Sequence, residues 1–270
     1  MKYRQSIPLD SIKNSRELGG YPSADGRRVK SGVLLRTGRL NEISDEDIRT
    51  LKDTYRLGHI IDFRMSMELP DSPDPAIDGA EYHHLDVIDT SSFFSDVEIP
   101  DFDITKLDPF EVAELTIKSG IQNDRMYIGF LSCDTGKKAF GDFFRILLSA
   151  DPDKAVLWHC TSGKDRTGLA AMLLMTAFGV DEEVVVDDYL LTNEYNAHRI
   201  EGARQFMRMN GYDEDFIAQA VIVFDAVDES YLRNALAYLK KEYGSVLGYI
   251  HDGLNITQEE IDSLKEKYLV

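Results

Sequence analysis

The apolar run Ala155-Val156-Leu157-Trp158 leads into small and polar residues at 159–168, which open onto Leu169-Ala170-Ala171-Met172-Leu173-Leu174-Met175. That succession reads as strand, loop and helix, and it commits the chain to a layered α/β arrangement. Segments 33–37, 59–63 and 81–87, rich in β-branched or aliphatic residues, supply further strands. Ser44-Asp45-Glu46-Asp47 is a capped helix start with Ile48, Leu51 and Tyr55 on one face. Phe140, Phe143, Phe144, Leu147 and Leu148 form a second apolar stripe, and from 167 onward the pattern is almost entirely helical. The expected fold is α/β: a central, mostly parallel sheet flanked by helices, with a helical C-terminal part over roughly 181–270. No Pro/Gly/Ser linker, low-complexity tract or repeat divides it, so 1–270 is expected to be a single domain.

The loop places Cys160 and Arg166 at its two ends, with Thr161, Ser162, Gly163, Lys164 and Asp165 between them. A thiol attacks only as thiolate, so its pKa must fall below the free value of about 8.5. The following helix offers unpaired N–H groups and a positive dipole end, and successive amides of 161–166 can form an anion nest. Arg166 adds a fixed charge that grips two phosphate oxygens at once. Gly163 suits a turn needing positive φ or close backbone approach, and Gly168 allows tight packing at the helix start. The Thr167 hydroxyl is placed to donate to the sulfur or to a departing group, and His159 to orient the cysteine backbone. Together these residues can hold a phosphate ion, take a phosphoryl group onto sulfur and release it to water. Cys133 has no arginine six positions on and reads as structural.

At these residues the chain resembles the cysteine-dependent protein tyrosine phosphatases, whose phosphate loop is Cys-x5-Arg. The form His-Cys-x-x-Gly-Lys-Asp-Arg-Thr-Gly is most similar to the atypical bacterial members, some of which also act on phosphoinositides. Asn14-Ser15-Arg16-Glu17-Leu18-Gly19-Gly20-Tyr21, Asp25-Gly26-Arg27-Arg28-Val29-Lys30-Ser31-Gly32 and Leu35-Arg36-Thr37-Gly38 resemble that family's N-terminal signature, with Glu17 where the family usually has Asp. Asp62-Phe63-Arg64 with Glu68 beyond it, Asp188-Tyr189-Leu190-Leu191-Thr192-Asn193 and the C-terminal helix are similar as well.

The resemblance implies a phosphomonoester hydrolase acting on phosphotyrosyl protein, with a phosphoinositide or inositol phosphate as the alternative substrate. Lys164 supports the alternative, because a second cation suits a multiply phosphorylated head group; it can equally pair with Asp165. A non-catalytic phosphate-binding module is the distant alternative, opposed by the presence of both thiol and guanidinium. The family's separate Trp-Pro-Asp acid loop is excluded, since the only tryptophan is Trp158. The resemblance carries the leaving-group acid over to Asp165. Asp62 is the second candidate, as acid or as a partner orienting Arg166, although a strand-end pair with Arg64 fits it equally. Asp86 and Asp89 are weaker candidates.

Net charge is −18. The acid excess avoids residues 121–180, which carry 7 basic and 6 acidic side chains. Without a basic footprint, nucleic acid is not an expected partner. Two cysteines make no disulfide framework, no apolar leader opens the chain and no run approaches membrane-spanning length. A cytoplasmic location is therefore expected, with export lacking a cleavable signal as the other route. No cofactor and no metal site are expected: His83 and His84 stand side by side on a strand and face opposite ways. Segment 199–243, with interleaved Arg, Met and Phe, is expected to form a helical lid or an ordinary amphipathic pair. Acidic segment 95–114 is expected to be a mobile loop.

Overall fold

A computed structural model of the protein describes residues 6–88, 109–120 and 125–270. Five strands, β1 (Arg16–Glu17), β2 (Leu34–Thr37), β3 (His59–Asp62), β4 (Glu81–His84) and β5 (Val156–His159), form one sheet in the order β1-β2-β5-β3-β4. β1 is antiparallel to β2, and all other pairings are parallel. The sheet is therefore mostly parallel, as expected. β1 is the strand that pattern reading misses, because two residues carry no periodicity.

Period-two alternation explains how the central strands are buried on both faces. Leu34, Ile61, Val156 and Trp158 face the larger core, while Leu35, Ile60 and Leu157 face a smaller one. The smaller core is closed by Ile7, Leu9 and Ile12 and by helix α1 (Asp45–Asp53), which buries Leu51. Ser44 caps α1 by accepting the Asp47 N–H at 3.1 Å.

Helices α2 (Pro109–Ser119), α3 (Met126–Ser132), α4 (Asp134–Ser149) and α5 (Asp165–Ala177) follow β4 in chain order, with β5 between α4 and α5. α4 brings the stripe Phe140, Phe143, Phe144 and Leu147 into the larger core, where the Phe143 ring meets Trp158 edge-on at 5.4 Å. Cys133 caps α4, its Sγ accepting the Gly136 N–H at 3.3 Å. α5 is buried almost all round, from Arg166 to Met175, as an all-apolar central helix must be.

The helical C-terminal part contains α6 (Glu182–Tyr195), α7 (Ala197–Met209), α8 (Glu214–Phe224), α9 (Glu229–Tyr243) and α10 (Gln258–Tyr268), with short helical turns at Val246–Gly248 and Tyr249–Gly253 before the last. The segment 199–243 does not behave as one unit. α7 and α8 bury Met207, Ile217, Ala220 and Val221 in a small separate cluster with Ala113 of α2. α9 instead commits Leu232, Ala235, Leu236 and Leu239 to the main core, so its residues cannot belong to a detachable lid. Segment 95–114 is corrected in part: 95–108 lie outside the described residues, but from Pro109 the chain is helix, proline occupying the first turn where its missing N–H costs nothing.

In register across the sheet, Thr37, His159, Asp62 and His84 form one row at the C-terminal ends of the parallel strands. The loop 160–164 leaves from this row, where open parallel sheets present their ligand crevice. Among the described residues no helix is long and apolar enough to cross a membrane. Phe143→Ala should cost about 3–5 kcal/mol, because its ring packs on Phe63, Phe144 and Trp158; chemical denaturation followed by far-UV circular dichroism measures this.

Candidate active site

Cys160 follows the last residue of β5 and is 1% exposed. The chain then turns through Gly163, whose φ is +67°, and a Cβ there would collide with the Thr37 carbonyl. Only glycine satisfies both conditions. The turn sends carbonyls away from the ligand side: Asn14 Nδ2 donates to Gly163 O at 2.8 Å and Ser162 O at 3.3 Å, and Arg36 Nη2 donates to Gly163 O at 3.0 Å. Among the described residues, the backbone N–H groups of 161–166 donate to no partner. Donors gathered ahead of a helix N-terminus, with acceptors tied behind, are an arrangement chemically able to receive an anion.

The tie is itself anchored in the interior. Asp188 of α6 accepts from Arg36 Nη1 at 2.6 Å, Arg16 Nε at 3.1 Å and the Tyr21 hydroxyl at 2.9 Å. Both guanidiniums and the carboxylate are at most 2% exposed. Burial alone would raise the Asp188 pKa, but the two guanidiniums outweigh it and hold the carboxyl below its usual range. Burial, and then the neighbouring Arg16, pull the Arg36 pKa down to about 10. One carboxylate thus neutralises part of two buried charges; Arg16 also donates to Asn14 Oδ1, Asp188 O and Thr192 Oγ1 and Arg36 to Gly163 O, while Arg36 Nε is buried without a hydrogen-bond partner among the described residues.

At the other end of the loop, Arg166 Nη1 donates to Glu68 Oε2 at 2.7 Å and to Phe63 O at 3.2 Å. Its Nη2 meets Thr161 Oγ1 at 3.3 Å, and Thr161 donates in turn to Glu68. Burial opposes the charge on Arg166, yet Glu68 and then Cys160 raise its pKa. The orienting carboxylate is therefore Glu68. Asp62, expected as acid or as the partner of Arg166, is fully buried and occupied: Arg64 donates to both its oxygens at 2.6–3.0 Å, and the Tyr82 hydroxyl donates at 2.8 Å. Burial works to raise the Asp62 pKa, but His159 and the Arg64 hydrogen bonds prevail and hold it at about 2. A group so reluctant to carry a proton is unsuited to donate one near neutrality. Arg64 also contacts Asp74 at 2.8 Å and donates to Ser72 O at 2.6 Å. His159 sits 2.9 Å from Asp74 with Nε2 and 3.3 Å from the Cys160 carbonyl with Nδ1, so it positions the cysteine from behind.

Asp165 is the first residue of α5, with its side chain 18% exposed. The Tyr127 hydroxyl donates to its Oδ1 at 2.7 Å and lies 2.8 Å from the Tyr189 hydroxyl. Thr167 Oγ1 is buried without a hydrogen-bond partner among the described residues. Lys164 departs from its expected role as a ligand-facing cation. Its ammonium is buried against the end of α8, donating to Ile222 O, to Val223 O at 3.1 Å and to Ala226 O at 3.2 Å, with Asp165 3.6 Å away. The cation beside the loop is instead Lys13, 3.3 Å from Ser162 Oγ and 3.5 Å from Asp225. Asp86 accepts from Ser66, while Asp89 falls outside the described residues.

Sequence reasoning left Asn14, Arg16, Arg36, Glu68, Asp74, Tyr127 and Asp188 without roles. A signal existed for two of them. Arg36 interrupts Val33-Leu34-Leu35, and Asp188 sits within Val184-Val185-Val186-Asp187-Asp188-Tyr189-Leu190. A charge inside a buried apolar run demands a buried partner. Asp188→Ala would leave two guanidiniums without their carboxylate, a loss of about 3–5 kcal/mol, to be read from urea denaturation.

A sequence profile of the tyrosine phosphatase family matches residues 7–270. The chain is 32% identical over 270 residues to a protein assigned as a tyrosine-protein phosphatase in Cupriavidus necator, covering 98% of this chain and 89% of that one. It is 26% identical over 258 residues to the triple specificity protein phosphatase PtpB of Mycobacterium tuberculosis, covering 88% and 91%. A tyrosine-protein phosphatase of Nostoc commune is 33% identical over 125 residues, 44% of this chain and 40% of that one. Matched over nearly its whole length, the chain belongs to the tyrosine phosphatase family and is a phosphoric monoester hydrolase.

Proposed function

We propose that this hydrolase removes phosphate from phosphotyrosyl proteins through a covalent cysteinyl-phosphate. The observation that carries the reading is the cup: a cysteine and a carboxylate-braced arginine at opposite ends of a loop whose amides have no competing acceptor among the described residues. In the first step Cys160 Sγ bonds to phosphorus as the bond from phosphorus to the phenolic oxygen breaks. Asp165 gives its proton to that oxygen, and Tyr127 fixes the carboxyl beside the loop. In the second step a water oxygen bonds to phosphorus, the sulfur–phosphorus bond breaks and the water proton passes to the Asp165 carboxylate. Arg166 and the amides balance the equatorial oxygens throughout, in a geometry fixed before substrate arrives. The Thr167 hydroxyl is available to donate to the departing sulfur.

A second substrate class, phosphoinositides, is favoured by one arrangement. Lys13 and Arg199 share Asp225, at 3.5 Å and 3.1 Å, and Lys13 borders Ser162 of the loop. Their two positive charges exceed the one carboxylate between them, which suits a second phosphate on the same ligand. The name of the Mycobacterium tuberculosis relative, a triple specificity protein phosphatase, agrees with a substrate range wider than one phosphoamino acid.

Cys160→Ser should lower kcat by about 10⁴-fold or more on every substrate, in steady-state assays of phosphate release. Asp165→Asn should slow a phosphotyrosyl peptide about 10²–10⁴-fold while sparing an aryl phosphate with a good leaving group. Equal losses on both would remove Asp165 as the acid. Lys13→Ala should reduce kcat/KM for a phosphoinositide at least about tenfold more than for a phosphotyrosyl peptide, the worth of one charged hydrogen bond. Parallel losses on the two substrates would leave phosphotyrosine as the sole reading.

A further inference from the structure

Far from the loop, at the opposite end of β3, three metal-competent side chains share one face of the sheet edge. His59 opens β3 and stands in register with Glu81 of β4. His83 lies two residues beyond Glu81 and so projects to the same side, whereas His84 turns to the other and meets the Arg64 carbonyl at 2.8 Å. His59 Nδ1 is 3.0 Å from His83 Nε2, Glu81 Oε2 lies 3.8 Å from His59 Nδ1, and Glu81 Oε1 lies 3.8 Å from His83 Nε2. The two rings stack with centroids 5.3 Å apart, and the nitrogen of each nearest the other lies within 3.8 Å of a Glu81 oxygen.

A tetrahedral first-row ion bound at about 2.0–2.2 Å by nitrogen and oxygen needs donors about 3.3 Å apart. The observed separations of 3.0 Å and 3.8 Å fall either side of that edge, and small rotations of the side chains would equalise them. We propose that His59, Glu81 and His83 form a three-ligand site for a divalent first-row metal such as zinc, with water in the fourth position. Sequence reading expected no metal site, because the two histidines are 24 residues apart and only the parallel pairing of β3 with β4 unites them.

The surroundings permit a cation. Lys154 and Lys267 are the cations that act on His59 from outside the cluster. Lys267 is turned away onto the carbonyls of Leu147, Leu148 and Ala150, which absorb much of its charge. The glutamate is exposed and the imidazoles are 17% and 20% exposed, so an ion can enter without unfolding the strands. His59 and Asp62 are three residues apart on β3, a span of about 10 Å, so the ion would clamp the edge strand and take no part in phosphoryl transfer.

The test titrates zinc chloride into the full chain by competition with a metallochromic indicator, for wild type, Cys160→Ser, His59→Gln, His83→Gln and Glu81→Gln. Far-UV circular dichroism and aryl phosphate turnover report that the edge variants are folded. The expected result is one zinc ion at micromolar affinity, kept in Cys160→Ser and weakened at least about tenfold in each histidine variant. Zinc should also raise the melting temperature of wild type and of Cys160→Ser, with the rise abolished in both histidine variants and reduced in Glu81→Gln. Zinc binding unchanged by either histidine substitution, or lost in Cys160→Ser, would overturn the proposal, as would no binding at micromolar zinc. Should a histidine variant fail to fold, retention of full zinc affinity by the exposed Glu81→Gln would overturn the site and a loss would uphold it.

Discussion

One buried carboxylate bears the site. Asp188 holds Arg16 and Arg36 in the interior, and Arg36 and Asn14 in turn hold the carbonyl of Gly163. Tying that carbonyl down determines which way the neighbouring peptide planes face, and hence where the amide donors converge. Removing charged groups from water is costly, and a domain gains little stability from such clusters compared with apolar packing. The return here is orientation: the protein's own donors hold the loop carbonyls and so fix the peptide planes ahead of the helix.

The opposite rim uses the same logic with greater exposure. Glu68 and Thr161 fix the guanidinium of Arg166, and a neighbouring set built from Asp62, Arg64, Asp74 and His159 braces the end of β5. The two sets divide the work. Glu68 lies at the rim with its side chain 22% exposed, and it orients the Arg166 guanidinium. The Asp62 set is nearly fully buried and holds the backbone from which the thiol projects. This separation leaves an aspartate placed near the cysteine by strand order engaged by Arg64 and Tyr82.

Most of the scaffold was legible along the chain because its cause is local. Alternating apolar residues, a capped helix at Ser44 and the break at Gly163 announce strands, helix and loop before any tertiary contact exists. The loop residues themselves were legible for the same reason: cysteine, glycine and arginine sit within seven consecutive positions. The roles that escaped depend on distance. Glu68 meets Arg166 across 98 positions, Arg16 meets Asp188 across 172, and no spacing rule reaches that far. Lys164 shows the reverse case, open in sequence between a ligand contact and a pair with Asp165, which lies 3.6 Å away. Its place within the loop suggested a ligand contact, but helix α8 ends close by with unsatisfied carbonyls, and these capture the ammonium.

The strand order has a temporal consequence. β5 is inserted between β2 and β3, and the groups that shape its loop come from residues 14, 36 and 68 on one side of it in sequence and from 188 on the other. A growing polypeptide therefore carries an unshaped thiol-bearing segment until the sixth helix has emerged and docked. Partial melting of any one of these distant contributors would leave the sulfur in a floppy strand exit, so the shape of the loop reports on completion of the whole sheet.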